Sequence, residues 1–149
     1  MCKFFRNQDD PIFTPAHGPN TVTPMNRELY SIMGQENIFK MLEDFYLELG
    51  KSDIKEMFPE DLVTASKKSA AFFVGIMGGP PLYLELYGSP RMRMRHFPFK
   101  ITKEFKNVWL SCFEKVLEKP ENYGMPAAEV SGFMSFLYGF SNWMVNTEE

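Results

Sequence analysis

Apolar residues recur along this chain at helical spacing, and no stretch alternates with period two for long enough to predict a strand. Ile38, Met41, Leu42, Phe45, Tyr46 and Leu49 fall at i, i+3, i+4, i+7, i+8 and i+11, on one face of a helix over 35–49 that Gly50 ends. Tyr46 brings a hydroxyl onto that apolar face and so calls for a buried partner. The strongest pattern lies over 103–119, where Phe105, Val108, Trp109, Cys112, Val116 and Leu117 share a face behind Thr102 as N-cap. A last helix over 126–145 turns Val130, Phe133, Met134, Leu137, Tyr138 and Met144 inward. A helix over 62–77 presents Ala65, Ser69, Phe72, Phe73 and Ile76. The small pair Ala65 and Ser69 admits either another helix or a planar ligand close to the backbone, and the pattern does not choose between them. With a short helix over 27–33 ended by Gly34, the prediction is an all-α chain.

The regular pattern breaks twice. Residues 54–62 form a tight corner with Phe58-Pro59 at the bend. Residues 78–99, GGPPLYLELYGSPRMRMRHFPF, are too rich in Gly and Pro for one element and too apolar for a solvated linker. Gly78-Gly79-Pro80-Pro81 stops the preceding helix, and 82–86 makes one short turn closed by Gly88. Ser89 as N-cap and Pro90 in the first turn then open a brief helix. Pro98 limits it, placing His96 in its last turn behind Arg91, Arg93 and Arg95.

Composition narrows the chemistry. A length of 149 residues favours one domain, read as 25–149, after an irregular extension over 1–24 that carries Pro11, Pro15, Pro19 and Pro24. His17, in that extension, reads as solvated. A net charge of −3 gives no support to nucleic-acid binding. No apolar run reaches the ~20 residues that span a bilayer, and the N-terminal stretch lacks the apolar core of a signal peptide, so a cytoplasmic location is expected. Two histidines and two isolated cysteines do not favour a zinc site. Cys112 falls on a buried face, and no glycine-rich loop follows a strand to hold phosphate. Haem asks less of a sequence, because the porphyrin supplies four donors and one axial side chain completes the attachment. His96 is the residue placed to supply it. From the residues alone a satisfied histidine is still the simpler reading, as an aromatic core is for the many Phe, Tyr, Trp and Met residues.

Four blocks carry a resemblance that reverses that reading. Phe58-Pro59-Glu60-Asp61-Leu62, Gly78-Gly79-Pro80-Pro81-Leu82-Tyr83, Arg93-Met94-Arg95-His96-Phe97-Pro98-Phe99 and Trp109-Leu110-Ser111-Cys112 resemble, in residues and in spacing, the group II truncated haemoglobins of bacteria. The resemblance covers about residues 30–143. It implies a globin-like two-over-two helical sandwich holding haem b, with His96 as proximal iron ligand. It implies Tyr46 and Trp109 as distal hydrogen-bond donors to a diatomic ligand, and Phe58 as an aromatic packed on the haem. Ala65 and Ser69 would stand beside the ligand, and Phe72, Tyr83 and Phe99 against the cofactor. Lys68 and Arg95 would pair with the haem propionates. Two departures from the family pattern are Ser69, where a larger residue is common, and Ser89, where a histidine often stands. The implied activity is reversible binding of O2, NO or CO by a monomer or weak homodimer. Two distal donors favour redox detoxification of NO or peroxide, of the NO dioxygenase or peroxidase kind, with an unidentified reductase. A haem-based gas sensor or electron-transfer protein acting through a partner is the alternative.

Overall fold

A computed structural model describes residues 4–16 and 22–148 of the chain; Cys2 and His17 lie outside the described residues. Among the described residues seven α-helices are arranged in the order α1 (Leu29–Met33), α2 (Gln35–Leu49), α3 (Leu62–Ile76), α4 (Leu82–Tyr87), α5 (Met92–Arg95), α6 (Lys103–Val116) and α7 (Ala127–Met144). The long ones pair as the amphipathic pattern requires: α2 packs on α3 and α6, and α6 on α7. This is the two-over-two sandwich. Among the described residues the only β-type pairing is an isolated bridge between Phe5 and Phe99.

Helix α2 is built by its predicted face. Ile38, Met41, Leu42, Phe45 and Leu49 of α2 are buried. Phe113 of α6, fully buried, stacks on Phe45 with ring centroids 3.7 Å apart. Thr102 caps α6 by accepting from the Phe105 N–H at 3.0 Å. Asp61 caps α3, accepting from the Thr64 N–H at 3.1 Å and from its hydroxyl at 2.7 Å. Cys112 is buried, and burial raises its thiol pKa, which keeps it protonated.

Three expectations need correction. In α3 the residues packed into the core are Ser66, Ala70, Ala71, Phe73 and Val74. Ala65, Ser69 and Phe72, predicted to face inward with Phe73 and Ile76, line a cavity, so the helix carries a second face that meets Tyr46, Tyr83 and Phe140 around that space. Tyr138 of α7 is 58% exposed, because the helix turns Phe133, Phe136, Leu137 and Met144 to the core; its ring lies beneath the Lys106 ammonium, 4.5 Å away. Ser89 does not cap α5. The residue before that helix is Arg91, in the left-handed region at φ 34°, and the Ser89 carbonyl accepts from Arg95. A left-handed Arg91 cannot continue a right-handed helix from Pro90, so the helix starts after it.

The break after α3 rests on one glycine. Gly78 has φ 99°, and a Cβ there would lie 1.8 Å from the carbonyl oxygen of Arg27. The bare backbone lets the start of α1 dock beside the end of α3, where the Tyr30 N–H donates to the Met77 carbonyl at 2.9 Å.

Candidate functional site

Between the long helices and the α4–α5 segment lies a cavity of about 520 Å³, within the range of sites that enclose a sizeable organic group. Its distal wall comes from α2, the corner after it, α3 and α6: Tyr46, Phe58, Ala65, Ser69, Phe72 and Trp109. Its proximal wall comes from α4, α5 and the turn beyond: Tyr83, Arg95, His96 and Phe99. Lys68 stands at the rim, its ammonium 5.2 Å from the Tyr87 ring centroid. The structure therefore brings every site residue expected from the sequence to one space.

On the distal side two hydroxyls meet. Tyr46 Oη and Ser69 Oγ are 2.5 Å apart, so the partner that Tyr46 required is the small residue on α3. Either oxygen can donate; one hydrogen closes the pair and the other stays available. Burial raises the Tyr46 pKa above its ordinary value, against a smaller opposing effect of the bond to Ser69, so the phenol remains a donor at neutral pH. Trp109 packs edge-on against Phe45 and Phe113, with centroids 5.4 Å and 5.0 Å apart. Its indole N–H makes no hydrogen bond within the described residues, which leaves it free to meet a ligand in the cavity it lines. Phe58 closes the corner edge-on to Tyr46 at 5.7 Å.

On the proximal side the histidine is prepared for a metal. His96 Nδ1 lies 2.5 Å from the Met92 carbonyl oxygen. A carbonyl can only accept, so Nδ1 carries the proton and the lone pair resides on Nε2. Burial lowers the His96 pKa, outweighing the opposing effect of the Met92 bond, and so favours the neutral ring. A neutral imidazole with one nitrogen committed to a backbone carbonyl is the donor that iron takes. The walls fit haem on this evidence: a broad apolar slot, one prepared imidazole, and cations at the rim. Arg95 donates to the carbonyls of Tyr87 at 3.0 Å and Ser89 at 2.8 Å and lies 5.2 Å from the Tyr83 ring centroid.

Several lining residues escaped the sequence reading. Phe105 shares the face of Trp109 one turn earlier, and Phe140 and Met144 are four apart on α7, so periodicity held a signal for them. Lys106 held none. It is 6% exposed although charged, and it lines the cavity with its ammonium over Tyr138. Asn146 lies wholly buried behind the wall, bonded to the backbone around His96.

Known proteins share this arrangement. The family model described as bacterial-like globin matches residues 28–140. Group 2 truncated hemoglobin YjbI of Bacillus subtilis is 37% identical over 90 residues, which span 60% of this chain and 68% of that protein. Phosphate-bound Hell's gate globin IV superposes with a TM-score of 0.78 at 33% identity, over 86% of this chain and 80% of that one. A truncated oxygen-avid haemoglobin from Bacillus subtilis superposes with a TM-score of 0.71 at 32% identity, over 78% of this chain and 98% of that one. Fold, sequence and cavity agree: the chain belongs to the bacterial-like globin family as a group II truncated haemoglobin, and membership in that family implies haem binding.

Proposed function

We propose that the chain holds haem b through His96 Nε2 and binds O2 and other diatomics against Tyr46, Ser69 and Trp109. The observation that carries this reading is the opposition across one cavity of a proton-committed imidazole and two available polar hydrogens, one from the Tyr46–Ser69 pair and one from Trp109. Haem, when bound, supplies an iron centre for ligand binding and one-electron redox chemistry. The protein's part is to fix that chemistry in place. Phe58, Phe72, Tyr83 and Phe99 line the apolar slot, and the lining cations Lys68 and Arg95 would hold the two carboxylates of the cofactor. Donors preorganised in an apolar enclosure stabilise negative charge that develops on a ligand, and they slow its escape.

Slow release suits consumption of a ligand better than its delivery, so the proposed use is detoxification of NO or peroxide, with electrons returned by a reductase. The "oxygen-avid" description belongs to the similar Bacillus subtilis protein; the two distal donors support extending it to this chain. A Tyr46→Phe, Trp109→Phe double variant is expected to release O2 roughly 10- to 100-fold faster than wild type, about what losing charge-stabilising hydrogen bonds costs. Stopped-flow O2 dissociation measures it, and an unchanged rate defeats the reading of the distal side. For the proximal side, His96→Ala is expected to lose or displace the Soret band, and a band of wild-type position and intensity refutes His96 as the ligand. NO consumption and peroxide turnover by the loaded wild-type protein then separate the two proposed uses.

A further inference from the structure

The segment presenting His96 is too short to hold its own shape. Helix α5 has four residues, fewer than an isolated helix needs to persist, and α4 has six. Their carbonyls and the turn beyond must be ordered from outside, and the structure shows by what.

Asn146 is 0% exposed and uses its whole side chain on this turn and the residue beside it. Nδ2 donates to the carbonyls of His96 at 3.1 Å and Phe99 at 3.0 Å. Oδ1 accepts from the Ile101 N–H at 3.1 Å and from the Thr147 hydroxyl at 2.8 Å. The Asn146 backbone adds a bond to Ile101 and accepts one from the Phe13 N–H, each at 2.9 Å. Arg93, three residues before His96, reaches the other way. Its guanidinium donates to the carbonyls of Trp143, of Val145 at 2.7 Å and of Phe13 at 2.6 Å, and lies 4.6 Å from the Trp143 ring centroid. Five members of this set, Phe13, Trp143, Val145, Asn146 and Thr147, lie outside the residues that the globin family model matches.

We propose that Asn146 and Arg93 are positioning residues for His96: a clamp, closed by the segments around Phe13 and 143–146, that sets the orientation and strain of the proximal imidazole. It rests on the reading of His96 as the iron ligand. The chemistry is that of an outer layer of hydrogen bonds around a metal ligand, whose loss typically changes metal affinity or activity about 10- to 100-fold. The Met92 carbonyl fixes which way the ring faces; the clamp fixes where the backbone puts it. A buried asparagine that merely satisfied its own polarity would affect stability alone.

The test uses the full-length haem-loaded protein. Asn146→Leu keeps the approximate size and removes every side-chain bond. Leu137→Ala, a fully buried position on α7, serves as the control for general destabilisation. In the ferrous, ligand-free state the iron–histidine stretching band in resonance Raman is expected to shift or broaden in Asn146→Leu and to keep its wild-type position in Leu137→Ala. Haem transfer to an excess acceptor protein is expected to quicken on the order of tenfold in Asn146→Leu. Arg93→Lys retains the charge but loses the fork that spans three carbonyls, so it shifts the same band and carries the test if Asn146→Leu does not fold. A wild-type band with haem transfer within twofold of wild type overturns the clamp, as does an equal band shift in Leu137→Ala. A wild-type protein with no iron–histidine band refutes the assignment of His96 itself, and the clamp with it.

Discussion

The two walls of the cavity are held by opposite means. The distal wall is regular helix whose backbone groups satisfy one another, so its side chains are free to pack; Phe45, Phe73, Trp109, Phe113 and Phe133 form a continuous aromatic cluster behind it. The proximal wall is short helix and turn, whose carbonyls find partners in Arg95 and Asn146, while its Arg93 reaches out to the carbonyls of Val145 and Phe13. The lesson is one of backbone accounting. Where the i to i−4 ladder is interrupted, buried carbonyls still need donors, and long polar side chains replace the ladder. The distal wall is thus secured by area and shape, the proximal wall by a few directed bonds.

The largest test of this contrast is on the packed side. Phe113→Ala opens a hole behind the fully buried Phe45–Phe113 stack and is expected to cost about 4 kcal/mol in denaturant unfolding. A cost below about 1 kcal/mol breaks the claim that packing secures this wall. Gly78→Ala acts where the two halves meet. A methyl at φ 99° and 1.8 Å from a backbone oxygen forces α1 away from α3, at about 3 kcal/mol, read as a lowered Tm. The contrast sharpens with Ser69→Ala, which removes a hydroxyl without leaving a hole a neighbour must fill. It is expected to change stability by no more than about 1 kcal/mol while altering ligand release severalfold, by thermal melting and flash photolysis on one sample. Equal insensitivity of both readouts means that the hydroxyl pair does not touch the ligand.

A last effect is a pH dependence outside the cavity. Tyr123 is buried and donates to Asp44 Oδ2 at 2.7 Å; burial, and then the bond to that carboxylate, raise its pKa above the ordinary value near 10. The folded state therefore keeps the phenol proton at a pH where the unfolded chain releases it. The stability this provides is whole below pH 10 and declines as pH rises from 10 through the raised folded value. Tyr123→Phe is expected to lower stability by about 1 to 2 kcal/mol at neutral pH and to flatten the decline above pH 10, by urea midpoints at a series of pH values.

The same division decides how much could be read from the sequence. Helix α2 is legible in the sequence because its burial is one-sided; α6 is legible in its start and Thr102 cap but less in its face, where Leu110 and Phe113 are buried beside the expected Phe105, Cys112 and Val116. The single face expected of α3 hid two. A stripe that lines a cavity and a stripe that meets protein have the same composition, and only the fold separates Ala65 and Ser69 from Ala70 and Val74. The four sequence blocks led to the cavity residues, because a turn that must present a histidine uses unusual residues at fixed spacing. Asn146 and Lys106 gave no warning. A buried asparagine is justified by backbone groups 45 to 50 residues away, and nothing in its neighbours announces them.

The Tyr46–Ser69 pair has one more consequence, and it concerns time and reorganisation. To serve ligands with different charge distributions a site normally moves side chains, which in a packed wall is slow and costly. Here the choice of donor lies in which of two oxygens, 2.5 Å apart, directs its hydrogen outward. Exchanging them needs only the rotation of two O–H bonds, with every carbon where it was. A packed part of the cavity can in this way adapt its polarity to its occupant while its shape stays constant.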